Sequence, residues 1–111
     1  MNDLINKWLY DILESINSIN EYIGKQKTFD HYENNKQLRR SVEREVEIIG
    51  EAINRIKKEN PKIKIKHTHQ IIATRNRVAH AYDAVDNAII WGIVMNHLPS
   101  LKKEVVLILD S

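Results

Sequence analysis

The stretch KQLRRSVEREVEIIGEAINRIKKE, residues 36–59, decides the fold. Leu38, Val42, Val46, Ile49, Ile53 and Ile56 recur at spacings of three and four with charged residues between them, which is one apolar stripe along a helix. Gly50 sits inside that helix at a cost of about 1 kcal/mol relative to alanine, and points to a backbone packed closely against it. Asn60-Pro61 ends it, because the residue before a proline avoids the helical region. Arg40 and Arg44 each stand three residues ahead of Glu43 and Glu47, the spacing of ion pairs on a helix surface.

Working outward, Lys25 to Asn35 reads as a polar connector in which Thr28-Phe29-Asp30-His31 caps a short extra turn, with Phe29 or Tyr32 tucked onto the core. Before it, Ile5, Trp8, Leu9, Ile12, Ile16, Ile19 and Ile23 form the stripe of a first helix from about Asn2 to Ile23, closed by Gly24 as C-cap. After residue 59, Lys62-Ile63-Lys64-Ile65-Lys66 alternates like a strand but has no partner, so it is an extended connector. A third helix is predicted from Thr68 to about Tyr82. A fourth follows the N-cap Asp86, with Ile89, Ile90, Ile93 and Val94 as its apolar row. Pro99 is predicted to kink or break it, and Leu101 to Leu109 adds a C-terminal segment with Val105, Ile108 and Leu109 inward. Trp8 and Trp91 lie on apolar rows and read as core. The chain is therefore expected to be all-α, an up-and-down four-helix bundle with a short extra C-terminal helical segment, one domain over residues 1–111.

Composition narrows the function classes. In 111 residues, 42% hydrophobic and 29% charged is the balance of a globular protein, not of a disordered chain. No run approaches the roughly 20 apolar residues of a membrane helix, and the N-terminus lacks a secretory pattern, so a cytoplasmic address is expected. The absence of cysteine excludes disulfides, thiolate zinc sites and thiol nucleophiles. A net charge of +2 permits an acidic partner without requiring one, but residues 54–67 carry six cations against one acid, Glu59. That segment reads either as a solvated loop or as an anion-facing surface. The Val-, Ile- and Leu-rich last segment leaves an apolar stripe that a second copy would cover through a two-fold interface, so a homodimer is expected.

The densest reactive cluster is Thr74-Arg75-Asn76-Arg77-Val78-Ala79-His80-Ala81-Tyr82. On a helix, Asn76 and His80 are neighbours, whereas Arg75 lies about 140° around from His80 and only about 20° from Tyr82. Three arrangements let Arg75 and His80 serve one small target. The arginine can arc past Asn76, the helix can end near His80, or two copies can share a site. Such residues suit a phosphodiester that brings its own nucleophile, as RNA does through its 2′-hydroxyl. A histidine titrating near 6.5 can take that proton or return one to the leaving oxygen. The always-charged arginine fork can hold the non-bridging oxygens as charge builds in the transition state, and Asn76 can orient the histidine or touch phosphate. No metal and no cofactor is needed for this chemistry.

Arg75, four residues, His80, one residue, Tyr82 is the Arg-x4-His-x-Tyr pattern of the HEPN superfamily. With Glu47-Ile48-Ile49-Gly50-Glu51-Ala52 before it, and Val85-Asp86, Trp91 and Asn96-His97-Leu98-Pro99 after it, the chain resembles the HepT-like ribonuclease toxins over essentially its whole length. The resemblance implies a HEPN-like helical fold and a metal-independent endoribonuclease working as a homodimer, with the motif helices meeting in a cleft between subunits. It implies the toxin of a type VII-like toxin–antitoxin pair, whose minimal nucleotidyltransferase antitoxin transfers AMP to the tyrosine matching Tyr82. Arg75 and His80 match the catalytic pair, Asn76 the polar position after the arginine, and Arg77 and Glu51 supporting positions. One departure is Lys64-Ile65-Lys66-His67, where the family often has Pro-Trp.

Several residues carry two readings. Glu51 either braces Arg75 through a carboxylate–guanidinium fork or is simply exposed. Tyr82 points inward by helical arithmetic, yet AMP transfer needs its hydroxyl exposed, and both hold if the helix unwinds just after His80. Tyr82 or Tyr10 could stack a base. His67-x-His69 has the look of a metal pair but the wrong spacing for one helix face. A non-catalytic module that presents RNA or a nucleotide to a nucleotidyltransferase is the rival to the enzyme, although a pure binder has no need of His80.

Overall fold

The computed structural model describes residues 3–66, 68, 71–73 and 86–111. Helix α1 spans Asp3–Ile23 and buries Ile5, Leu9, Ile12, Ile16, Ile19 and Ile23, the stripe read from the sequence, while Trp8 packs half-buried at its edge. It stops at Gly24, whose φ of 63° is the left-handed conformation that only glycine adopts at little cost. The Gly24 N–H still donates to the Asn20 carbonyl at 3.0 Å.

Helix α2 is the expected extra turn, Phe29–Glu33, with the Thr28 hydroxyl accepting from the His31 N–H at 3.2 Å. It drives Tyr32 wholly into the core. Helix α3, Lys36–Glu59, begins where the Asn35 side chain accepts from the Leu38 N–H at 3.0 Å, and it buries all six stripe residues together with Gly50. α1 lies along α3 as the main packing pair, and α2 bridges α3 to the last part of the chain.

Past Asn60 the chain turns, the Ile63 N–H donating to the Asn60 carbonyl at 3.1 Å, and residues 63–65 then run irregularly to a further turn at 66 without forming a strand. Ile65 is buried and Ile63 packs on the core, so Lys62, Lys64 and Lys66 face outward. Ile71 is again fully buried. Of the expected third helix, residues 71–73 are helical, and the Thr68 carbonyl accepts from the Ile72 N–H at 3.0 Å.

The last part corrects two expectations. Helix α4, Asn87–Gly92, is capped by the Asp86 carboxylate, which accepts from the Ala88 and Ile89 N–H groups at 2.8 and 3.4 Å. Pro99 does not break the rod. A π turn, Ile93–His97, passes directly into helix α5, Leu98–Asp110, with Pro99 in its first turn. A proline ring would meet the carbonyl four residues back, here that of Met95, in a regular helix. The wider turn, in which the Leu98 N–H reaches the Ile93 carbonyl five residues back, takes up that conflict. The C-terminal segment is thus helical as expected and continuous with the helix before it. Second, Ile89 is 43% exposed while Ile90, Ile93 and Val94 are buried, so the row starts one residue later than read.

The buried residues of all these elements form one apolar cluster. Each buried Ile, Leu or Val contributes about 1.5–3 kcal/mol through burial. No helix among the described residues is long and apolar enough to cross a membrane.

Candidate active site

The residues read as catalytic or modified, Arg75, Asn76 and His80 with Arg77 and Tyr82, lie outside the described residues, as do His67 and His69. What the structure defines is the frame on either side of them. On the upstream side the Lys57 ammonium, in the last turns of α3, donates to the Thr68 hydroxyl at 2.5 Å. Thr68 is itself buried, and its carbonyl opens the helical turn that holds Ile71 in the core. An ammonium bonded to a hydroxyl in a half-buried place is a charge-assisted contact, stronger than its exposed equivalent. Arg75 follows Ala73 by two positions in the chain. On the downstream side the Asp86 cap fixes where α4 starts.

Beneath α4, the Tyr32 and Trp91 rings pack with centroids 5.3 Å apart and planes tilted by 36°. This contact ties α2 to α4. The Tyr32 hydroxyl is buried with no hydrogen-bond partner among the described residues. Burial raises its pKa above the usual phenol value, the neighbouring Glu43 carboxylate adds to the rise, and Arg39 opposes it.

Glu43 departs from its reading as a surface ion-pair residue. It is buried at 7% exposure, although Arg40 stands 3.7 Å away as the spacing suggested. Burial lifts its pKa above the ordinary carboxylate value, and Arg40 and then Arg39 pull it part of the way back. The stripe alone gave no warning of this, because the covering group is α2, a five-residue turn.

Glu51 stands on the half-exposed flank of α3 and accepts from the Arg55 guanidinium at 2.6 Å. Among the described residues this i,i+4 partner is its ion-pair contact, and its reading as a brace for Arg75 falls partly outside them. Tyr10, one of the two candidate base-stacking rings, is 61% exposed on α1. Asn96 and His97, which belong to the family-like ending, occupy the π turn, Asn96 exposed and His97 half-buried. Sequence reasoning missed that turn and the Lys57–Thr68 tie. Pro99 flagged a disturbance of the helix at that point without telling a π turn from a break.

The family described as "Ribonuclease HepT-like" matches residues 12–108 of this chain. Among curated proteins, "Putative RNase MJ1380" of Methanocaldococcus jannaschii is 35% identical over 108 residues, covering 94% of this chain and 95% of its own. "Putative RNase MJ1216" of the same organism is 33% identical over 104 residues, covering 90% and 83%. "Probable ribonuclease HepT" of Thermococcus cleftensis is 33% identical over 99 residues, covering 86% of each chain. No solved structure gave a significant match. With the match running from the middle of α1 almost to the end of α5, this chain belongs to the HepT-like ribonuclease family.

Proposed function

We propose that this chain is a metal-independent endoribonuclease, the toxin of a type VII-like toxin–antitoxin pair, acting in the cytoplasm. The observation that carries the reading is the Arg75-x4-His80-x-Tyr82 order inside a chain of this family, several of whose relatives are named as RNases. In the proposed step the 2′-oxygen of the RNA attacks the adjacent phosphorus and gives its proton to one His80 imidazole. The bond from phosphorus to the 5′-oxygen breaks, and that oxygen takes a proton from the second His80 of a homodimer. Arg75 holds the non-bridging oxygens while charge accumulates, with Asn76 orienting the imidazole and Arg77 adding positive potential. The products are a 2′,3′-cyclic phosphate and a free 5′-hydroxyl.

Self-association is supported by an uncovered apolar groove of about 680 Å³ between α1 and α5, lined by Ile16, Val94, Leu98, Pro99, Val106 and Leu107. Leu107 there is 69% exposed. Large exposed apolar surface of this kind marks an interface more often than a free face. Neutralisation follows from a nucleotidyltransferase antitoxin that moves AMP onto the Tyr82 hydroxyl.

The test is cleavage of a labelled single-stranded RNA by the purified protein in EDTA, with end-group analysis. Cyclic or 3′-phosphate ends are expected, with losses of about 10²- to 10⁴-fold in Arg75→Ala and His80→Ala proteins, the scale of a general acid–base contribution. Full cutting by either variant would refute the mechanism. Co-expression with the adjacent nucleotidyltransferase should add AMP units to Tyr82 by mass spectrometry, and modification confined to other residues would remove that part.

A further inference from the structure

We infer that Lys62, Lys64 and Lys66 form a phosphate track that holds single-stranded RNA by its backbone. The inference rests on the ribonuclease reading and adds to it the form of the substrate and the residues that grip it.

Burial sets the arrangement. Between a turn at residues 61–62 and another at 66, Ile65 at 7% exposure and Ile63 packed on the core take the inward positions. Lys62, Lys64 and Lys66 alternate with them and are exposed, so the three lysines form a ladder on the outer side of the segment. Both ends of the ladder are pinned. The Asn60 side chain accepts from the Lys62 N–H at 3.1 Å, and the Glu104 carboxylate accepts from the Lys66 N–H at 2.9 Å. A solvated loop needs neither anchor.

The charges are uncompensated. Lys7 pairs with Asp11, Arg40 with Glu43 and Arg55 with Glu51, while Lys57 and Lys102 bond Thr68 and Asn17. Among the described residues no ion pair holds Lys62, Lys64, Lys66 or Lys103. Lys64 and Lys66 instead border a hollow of about 480 Å³ with Ser100 and Ile108, while Lys103 and Leu107 on its far wall also line the α1–α5 groove. The Glu104 carboxylate on its wall accepts from the Lys66 N–H and is the one opposing charge among the lining residues. The hollow therefore offers the two ammonium groups and a hydroxyl to an anion, and the Ile108 side chain to a sugar or base face.

A repeating array of amines fits a polymer with one negative charge per unit. Single-stranded RNA fits better than a duplex, because attack by a 2′-oxygen in line with the leaving 5′-oxygen requires a backbone free of A-form geometry. The ladder directly precedes Thr68 in the chain, whose carbonyl opens the helical turn of residues 71–73.

The test uses the full-length protein and a 20-nucleotide single strand carrying 2′-O-methyl groups, which binds but cannot be cut, followed by fluorescence anisotropy across a salt series. A Lys62→Gln/Lys64→Gln/Lys66→Gln triple variant should lose about two units from the salt slope and bind roughly a hundredfold more weakly at 0.1 M salt, since each phosphate contact on a single strand contributes about 0.7 to the slope. The Lys→Arg triple variant should restore binding. All three positions are exposed, and an unchanged circular-dichroism melt would confirm that the fold is kept. An unchanged slope and affinity in the Gln variant would overturn the track while leaving wild-type RNA cutting in EDTA, and so the ribonuclease reading, intact. An equal loss on duplex RNA would overturn the single-strand assignment. Lysine-dependent binding to polyglutamate but not to RNA would show the surface to be a protein-docking site and overturn the proposal.

Discussion

Replacing Tyr32 by Phe should stabilise this protein. The hydroxyl is buried with no hydrogen-bond partner among the described residues, so within them the folded state carries the desolvation of a polar group without the bond that offsets it. Such a group costs about 1–3 kcal/mol. Phenylalanine keeps the ring, and with it the packing against Trp91 at 5.3 Å. The lost oxygen leaves a void of roughly 10 Å³, which at about 24 cal/mol per Å³ gives back only about 0.2 kcal/mol. The net gain is then about 1–2 kcal/mol. With a urea dependence of about 1.5 kcal/mol per molar, the midpoint should rise by about 1 M at unchanged slope. The assay is urea unfolding followed by circular dichroism at fixed protein concentration, since the proposed self-association would make stability concentration-dependent. Tyr32→Ala serves as the opposite control and should cost about 3–5 kcal/mol by emptying the ring's site. A lower midpoint for Tyr32→Phe at unchanged slope would mean that the hydroxyl is bonded in solution, and the reasoning would fail.

Two further predictions concern Glu43 and the groove. The folded-state pKa of Glu43 is raised, so the folded protein binds that proton more tightly than the unfolded chain does, and the contribution of Glu43 falls as pH climbs from the ordinary carboxylate value to the raised one. Glu43→Gln should therefore match the wild type near pH 4 and exceed it near pH 7 in urea midpoint; a lower midpoint at pH 7 would show that the Arg40 pair outweighs burial. Leu107→Asp should weaken self-association in sedimentation velocity by more than a hundredfold, because a two-fold interface loses the residue twice at about 1.5 kcal/mol or more each. A dimer whose dissociation constant does not move would exclude the α1–α5 groove as the contact.

The helices were legible because their ends are written in local chemistry. Gly24, Thr28, Asn35 and Asp86 each stop or start a helix through a backbone or side-chain bond within a few residues, and the structure places each at the boundary read from the sequence. What local pattern cannot supply is the neighbour. On α3, Glu43 lies only about 60° around the helix from the buried Val46, by the 100° step per residue. Whether that flank is wet depends on what lands there, and α2 lands there. Pro99 shows the same limit from the other side. The rule that proline interrupts a helix is sound, but its penalty falls on the carbonyl four residues earlier. A π turn at that point removes the conflict without ending the rod, and nothing in the local composition distinguishes the two outcomes.

The candidate site was proposed from the sequence on different grounds, since its chemistry requires particular groups at particular intervals, and its residues lie outside those described. An arginine, an asparagine and a histidine within six positions make sense for a substrate that carries its own nucleophile and for little else in a chain without cysteine. The supporting frame is the part that spacing could not disclose. Lys57 and Thr68 are eleven residues apart with an irregular connector between them, and their bond forms only because Ile65 and Ile71 anchor that connector to the core on either side. The same anchoring turns Lys62, Lys64 and Lys66 outward. The pair of buried isoleucines thus does two things: it holds Thr68 and the helical turn of residues 71–73 against the core, and it fixes which way the chain's densest run of positive charge faces. A basic stretch in a solvated loop would have no such coupling to the segment that follows it. Here the burial of Ile65 makes the orientation of the lysines a consequence of folding.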